Sequence, residues 1–212
     1  MKVCQIYVGH RRTFWHTEKN HKYSLLPISY VHHRNERSSS FVYHTFDTHP
    51  YQSRVDGNTN VQNVLNSWHN RYVAFATAPE DYDVYVLMRY DIEISDTIDF
   101  TKFSYDDNTI YIPSGNDHAW GVNDQLVFGN REVLKKYVSI HTNHLSMFHG
   151  DDDKLYPWFH NESYCTRNLS KQGVTIHRIE ASTQIVYDVD DLPDEHKENP
   201  GLIKVKRYHE RF

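Results

Sequence analysis

Residues 84–90, Val-Tyr-Val-Leu-Met-Arg-Tyr, form an apolar run with a single charged side chain and no alternation of apolar and polar residues. This pattern is typical of a strand that is buried on both faces. Such strands occur in mainly parallel sheets, whose crossover connections place helices on the faces of the sheet. The run therefore favours a sheet enclosed by helices.

Strand-like and helix-like patterns alternate over most of the chain. This alternation predicts an α/β fold with a central, mainly parallel sheet flanked by helices. The length of 212 residues fits one domain, residues 1–212. Gly173 follows the last predicted helix at the position where glycine ends helices. Strands are predicted at residues 2–8, 27–33, 40–46, 72–76, 84–90, 109–113, 174–179 and 184–188, and helices at 58–69, 130–141 and 161–172.

Composition excludes several classes of protein. Aromatic residues reach 14%, which offsets the modest 38% of hydrophobic residues and argues against disorder. The net charge of -5 argues against a general nucleic-acid binder. The amino-terminal apolar run is too short for a signal peptide, and no stretch approaches the roughly 20 apolar residues of a membrane span. Two cysteines, Cys4 and Cys165, suit a reducing compartment, with one bridge left open, so we expect a cytoplasmic protein.

Acidic residues surround the strand predicted at 84–90. Ligands of parallel sheets bind beyond the carboxyl ends of the strands, where Asp91 and Glu93 lie. These carboxylates are suited to Mg²⁺ or Mn²⁺. Arg89 is placed either to pair with Asp91 or to bind a phosphate. Residues 80–83 precede the same strand, and we expect them to form a solvated turn.

Two further segments carry candidate binding residues. Gly9 ends the first predicted strand and allows close backbone approach, while Arg11 and Arg12 can neutralise a diphosphate. The three aspartates at residues 151–153 fit either a solvated loop or a metal or acceptor contact. The sixteen histidines match no structural zinc pattern.

Six segments, in order, resemble the motifs of GT-A glycosyltransferases that build bacterial or viral surface glycans. The likeness covers about residues 3–180. The chain is also similar in size to the amino-terminal glycosyltransferase domain of a capsid-glycosylating chlorovirus protein. The six segments are residues 6–14, similar to the family's GhxRTF; 41–47, similar to vFiHTWD; 82–91, similar to yDyvirxRpD; 108–113; 121–130, similar to gvnDQfafGn; and 160–176, similar to hPExxlxxxL before a gixi strand.

The resemblance implies a single GT-A-like, Rossmann-like domain that transfers a sugar. The expected donor is a nucleotide sugar, most often UDP-linked, and the expected acceptor is a hydroxyl of a glycan or glycoprotein. No nucleic-acid partner is expected. The resemblance assigns donor binding to a set of residues around the first strand and at the end of residues 84–90, namely Val8, Gly9, His10, Arg11, Arg12 and Arg89.

The resemblance also implies a metal site and a general base. A divalent cation, Mn²⁺ or Mg²⁺, at Asp91 and Glu93 would stabilise the charge on the leaving diphosphate. Glu93 stands where the family has a second Asp. Asp124 is the first candidate for the base that takes the acceptor proton, because it is expected in a loop after a strand. Asp152 is the second candidate. The alternative for Asp124 is that it orients the segment that follows.

Two other functions remain open from the sequence. A carbohydrate-binding or virion structural module would use the same aromatic, His and Asp residues without catalysis. An NAD-dependent ADP-ribosyltransferase would build its site from residues 7–9, 76–78 and 130–132, with Glu132 polarising the ribose. Val8 stands where that class has Arg or His, which counts against it.

Overall fold

A computed structural model of the protein describes residues 1–9, 14–26, 28–35, 60–117, 121–144, 160–185, 187–188 and 205–206. The strand predicted at residues 40–46 lies outside these ranges. So do four candidate site residues, His10, Arg11, Arg12 and Asp152. The prediction of one domain over residues 1–212 therefore stays a prediction.

The described elements alternate between strands and helices. A short 3₁₀ turn, Phe100–Lys102, follows the sixth strand. In chain order the other elements are β1 (Val3–Gly9), α1 (Phe14–Ser24), β2 (Leu25–Leu26), β3 (Tyr30–Asn35), α2 (Val61–Ala76), β4 (Val84–Arg89), β5 (Ile92–Ile94), β6 (Ile98–Asp99), β7 (Thr109–Pro113), β8 (Leu126–Gly129), α3 (Arg131–Val138), α4 (Ile140–Asn143), α5 (Asn161–Lys171), β9 (Thr175–Ile179), β10 (Thr183–Ile185), β11 (Tyr187–Asp188) and β12 (Val205–Lys206).

A six-stranded sheet forms the centre of the described part, in the order β3-β1-β4-β8-β7-β9. Strand β1 runs parallel to both β3 and β4, and β7 runs parallel to β9. Strand β8 is antiparallel to its neighbours β4 and β7. The predicted α/β class with a mainly parallel sheet is confirmed.

The sheet has an apolar core on each face. Along β4, Tyr85 and Leu87 belong to one core, and Val84, Val86 and Met88 belong to the other. This division follows from the pleat, which turns successive side chains to opposite faces. The first core packs against α2, α3 and α5, and the second contains residues of β2, β5 and the 3₁₀ turn. Residues 84–90 show an uninterrupted apolar pattern because both faces of β4 are buried, one in each core.

Helix α2 corrects one prediction. Residues 72–76 were predicted as a short strand, but they form the last part of α2, Val61–Ala76. Val61, Leu65, Trp68 and Phe75 are buried at the spacing of one helical face. This face continues into the apolar run at residues 72–76, which contains Phe75. A short apolar run fits a strand and a buried helix equally well, so only its packing decides between them.

The other helices begin and end at recognisable residues. The side chain of Asn130 accepts a hydrogen bond from the backbone N–H of Val133 and so caps α3. Helix α5 is followed by Gly173, whose φ of +65° confirms the predicted helix end. None of the described helices is long and apolar enough to cross a membrane.

Both cysteines are buried and free. Cys4 lies on β1 and Cys165 on α5. Burial raises the pKa of the Cys4 thiol to about 11 and that of Cys165 well above its ordinary value. The two residues therefore serve as small apolar side chains in the core, without a bridge between them.

A buried histidine ties α1 to the strands beneath it. The Nε2 atom of His21 lies 2.6 Å from the carbonyl oxygen of Ile92, and Nδ1 lies 2.9 Å from the Tyr7 hydroxyl. A carbonyl oxygen only accepts, so Nε2 carries the proton and the Tyr7 hydroxyl donates to Nδ1. Burial lowers the pKa of His21 to about 4.

This histidine makes stability depend on pH. In the unfolded chain His21 takes up a proton near pH 6.5, whereas in the folded protein it does so only near pH 4. Its contribution is therefore complete above pH 6.5 and is lost as the pH falls towards 4, by up to about 3 kcal/mol. Urea unfolding at several pH values measures this loss. His21→Gln, which cannot titrate, should show a shallower acid slope, and an unchanged slope would contradict the assignment.

Candidate functional site

A cavity of about 360 Å³ opens at the edge of the sheet where β1 and β4 end. Val8 of β1 pairs with Arg89 of β4, and Gly9, with a φ of +109°, ends β1 beside them. This edge is where ligands bind in parallel α/β sheets. The lining residues are Val8, Gly9, Asn63, Ser67, Arg71, Leu87, Met88, Arg89, Asp91 and Asp124.

Five candidate residues meet at this cavity. They come from three segments that are far apart in the sequence, and the structure brings the first two together because β1 and β4 are adjacent and parallel. Glu93 does not line the cavity, and the roles assigned to all of these residues remain predictions. The five that meet are Val8, Gly9, Arg89, Asp91 and Asp124.

Asp124 lies in the stretch between β7, Thr109–Pro113, and β8, Leu126–Gly129, which agrees with its predicted place in a loop after a strand. It reaches the cavity through the direction of β8. Because β8 is antiparallel to β4, its first residues lie beside the last residues of β4, and the backbone N–H of Arg89 donates to the carbonyl of Gln125 at 3.0 Å. The start of β8 thus lies at the carboxyl edge of the parallel strands.

Helix α2 supplies three polar residues that the sequence analysis did not single out. Asn63, Ser67 and Arg71 all line the cavity. They are spaced four residues apart, so they follow one another along the same side of the helix. This spacing was visible in the sequence, but the assignment of residues 72–76 to a strand ended the predicted helix before Arg71.

Arg89 and Asp91 form a bidentate ion pair. The Nε and Nη2 atoms of Arg89 each donate to one carboxylate oxygen of Asp91 at 2.8 Å. Of the two alternatives for Arg89, the structure contains the pairing with Asp91. A cation at Asp91 would bind the same two oxygens that the guanidinium already contacts, in the geometry Arg and carboxylate prefer.

Asp91 and Glu93 are therefore poorly suited to hold a divalent cation. Both oxygens of Asp91 are engaged, and Glu93 lies on β5 in register with Gln184, away from the cavity lining. Within the described ranges no three His, Cys, Asp or Glu residues are grouped to hold a metal ion. Hard cations such as Mg²⁺ and Mn²⁺ need several oxygen ligands.

Arg71 and Asp124 form a second ion pair, buried more deeply. The Nη2 atom of Arg71 lies 2.7 Å from Oδ2 of Asp124 and 3.2 Å from its carbonyl oxygen. Asn161, the first residue of α5, also donates to Oδ2. The side chain of Asp124 therefore connects α2 to α5. The alternative to a catalytic role was that Asp124 orients the segment that follows it, and these contacts extend beyond that segment to two helices.

The guanidinium of Arg71 is held on two sides. Its Cζ atom lies 4.5 Å from the centre of the Trp68 ring, and Asp124 holds Nη2. Burial lowers the pKa of Arg71, but the charge of Asp124 and its hydrogen bond act in the opposite direction, and the pKa is raised. Its Nη1 atom is buried without a hydrogen-bond partner among the described residues.

Two of the three segments of an ADP-ribosyltransferase site lie apart. Val8 pairs with Arg89 at the carboxyl end of β4, whereas Gly129, just before residues 130–132, pairs with Tyr85 near the other end. Four residues of strand separate these positions by roughly 13 Å. Glu132 is half exposed and pairs with Lys135 at 2.6 Å. The structure gives this alternative no support.

The acidic residues before β4 lie away from the cavity, as predicted. Glu80 and Asp81 are exposed. Asp81 pairs with Lys2 at 2.9 Å, and Glu80 pairs with Arg131 at 2.7 Å. These contacts are at the amino end of β4, and they are typical of a solvated turn.

Comparisons with known proteins give a distant likeness of fold. No family model matches the chain, and no curated protein matches it. The chain is similar to the crystal structure of the galactosyltransferase LgtC in complex with donor and acceptor sugar analogs, with a TM-score of 0.43 and 11% identity, over 83% of this chain and 73% of that chain. The resemblance to a chlorovirus protein gains no support. At this TM-score the likeness has no weight for activity, so the functional question rests on the cavity.

Proposed function

We propose that the protein is a glycosyltransferase that moves a sugar from a nucleotide diphosphate donor, UDP-linked, to a hydroxyl of a glycan or glycoprotein. The observation that supports this proposal is the convergence of Val8, Gly9, Arg89 and Asp124 on one cavity. These residues all belong to sequence motifs that resemble those of glycosyltransferases, and the motifs carry no information on where the residues lie in the structure. Donor and acceptor would share the cavity and the surface around it.

The proposed reaction breaks the bond between the sugar and the diphosphate. Negative charge then grows on the leaving diphosphate, and guanidinium groups stabilise such charge. Arg71 and Arg89 both line the cavity. A divalent cation at Asp91 and Glu93 forms no part of the proposal, because these two side chains do not form a fitting donor set.

Asp124 is proposed as the base that accepts the proton of the attacking hydroxyl. Its Oδ2 atom accepts hydrogen bonds from Arg71 and Asn161. The carboxylate is thereby fixed in orientation, and no hydrogen bond to Oδ1 is formed by the described residues. Oδ1 is therefore the atom that would contact the acceptor hydroxyl, since a general base must lie within hydrogen-bond distance of the proton that it takes.

Calorimetric titration with UDP tests the proposal, with GDP and NAD as controls and with Mn²⁺ or a chelator present. We expect UDP to bind. Ser67→Trp should weaken UDP binding at least about tenfold, because the indole would fill a cavity that has room for one ligand. Ala76→Trp, at the exposed end of the same helix, is the matched control and should leave binding unchanged.

The other outcomes separate the remaining functions. Binding of glycans without any nucleotide would contradict the proposal and favour a carbohydrate-binding module. Binding of UDP that Ser67→Trp does not weaken would move the nucleotide site away from this cavity. Where UDP binds as expected, hydrolysis of a panel of UDP-sugars identifies the donor, and Asp124→Asn should abolish turnover while UDP still binds.

A further inference from the structure

One strong hydrogen-bond donor of the cavity lining is unused. The Nη1 atom of Arg71 is buried and has no acceptor in the part of the chain that the structure describes, and the residue as a whole is only 5% exposed. Leaving a buried donor without an acceptor is costly, more so on a charged group. A native structure tolerates such an atom where a ligand supplies the missing acceptor.

The position of this donor is rigid. Asp124 holds the neighbouring Nη2 atom from one side, and the Trp68 ring lies against the planar group at 4.5 Å. A planar guanidinium that is fixed at two points presents its remaining N–H groups in a set direction. Less entropy is then lost when a ligand binds, so the donor is preorganised.

An oxygen of a phosphate is the acceptor that suits this group best. A hydrogen bond between a guanidinium and an anionic oxygen is about twice as strong as one between neutral groups. Asp91, the other carboxylate of the lining, pairs with Arg89 and makes no hydrogen bond to Nη1. The open volume of about 360 Å³ leaves room for a diphosphate.

We infer that Arg71 binds the diphosphate of the donor, with Nη1 donating to a phosphate oxygen. The inference rests on the proposed function and goes beyond it by assigning the cationic contact to a residue of α2. Asp124 then has two tasks on its two oxygens, since Oδ2 positions Arg71 while Oδ1 faces the acceptor hydroxyl. The anion is held by protein side chains, without a contribution from Asp91 and Glu93 as metal ligands.

Three probes isolate the phosphate contact, namely UDP, uridine and inorganic pyrophosphate. The informative protein carries Arg71→Met together with Asp124→Asn, so that no unpaired charge stays buried, and the unsubstituted protein serves as its reference. We expect the affinities for UDP and pyrophosphate to fall about 10- to 100-fold relative to the reference, with uridine binding unchanged. Arg71→Lys keeps the charge but loses the fork, and should retain part of the binding.

Arg131→Met is the matched control, because Arg131 pairs with Glu80 at the opposite edge of the sheet. It should not change binding of any probe, and thermal unfolding checks that each variant is folded. Equal losses for UDP and uridine, or no loss for UDP, would overturn the role of Arg71 and leave the proposed function standing. Pyrophosphate binding that depends on Arg71 in a protein that does not bind UDP would support Arg71 and contradict the proposed function.

Discussion

Arg71→Met should lower the free energy of unfolding by about 3–5 kcal/mol, which is the usual cost of removing one partner from a buried ion pair. The side chains of Arg71 and Asp124 are each only 6% exposed, and their charged atoms lie 2.7 Å apart. Without the guanidinium, Asp124 is a buried carboxylate with Asn161 as its one remaining side-chain donor among the described residues. Urea unfolding followed by circular dichroism measures the change.

The double variant Arg71→Met, Asp124→Leu separates the charge from the packing. When both charges are replaced by apolar groups, most of the lost stability should return, because the penalty comes from the uncompensated carboxylate. Arg178→Met is the control for an exposed pair. Arg178 contacts Asp117 at 2.7 Å with both side chains partly exposed, and its loss should cost less than about 1 kcal/mol. Equal losses for Arg71→Met and Arg178→Met would contradict the burial argument.

Trp68→Ala should also lower the free energy of unfolding by about 3–5 kcal/mol, through loss of buried area and creation of a cavity. Trp68 is 1% exposed in the core between α2 and the sheet. Its ring meets Tyr137 of α3 edge-to-face, with 5.2 Å between ring centres, and supports the guanidinium of Arg71. The substitution removes both contacts, so binding of pyrophosphate should weaken together with stability.

Trp68→Phe is the informative companion. It keeps an aromatic ring under Arg71 and removes the indole N–H, which is buried without an acceptor among the described residues. Loss of an unsatisfied donor offsets part of the lost area, so we expect a cost of about 1 kcal/mol. Denaturation of the two variants side by side tests this. A Phe variant as unstable as the Ala variant would show that the N–H has an acceptor after all.

Local patterns were sufficient for much of the fold. The apolar run at residues 84–90 predicted β4, and Gly173 predicted the end of α5, because backbone sterics and hydrophobic periodicity act over a few residues. The same locality explains the error at residues 72–76. Five apolar residues have no decisive period, and the stripe that makes them helical begins at Val61.

The position of the candidate site was also predictable in part. The rule that ligands bind beyond the carboxyl ends of parallel strands pointed to Gly9 and Asp91, and both line the cavity. Asp124 was singled out by its expected place in a loop after a strand, and it lines the same cavity because β8 runs antiparallel to its neighbours. A sequence pattern does not encode strand direction within a sheet, since the direction depends on connections and long-range pairing.

The sequence by itself determined the class of the fold and the strands β1 and β4, whose ends meet at the candidate site, because both follow from short-range periodicity and residue type. Only the tertiary structure decided which charges pair. Arg89 and Asp91 are neighbours along the chain, yet both pairing and phosphate binding were open to Arg89 until its surroundings were known. Arg71 and Asp124 are 53 residues apart, and only the fold, which brings α2 beside the residues that precede β8, joins them. Burial makes that pairing decisive, since a charge removed from water requires a partner at a definite position.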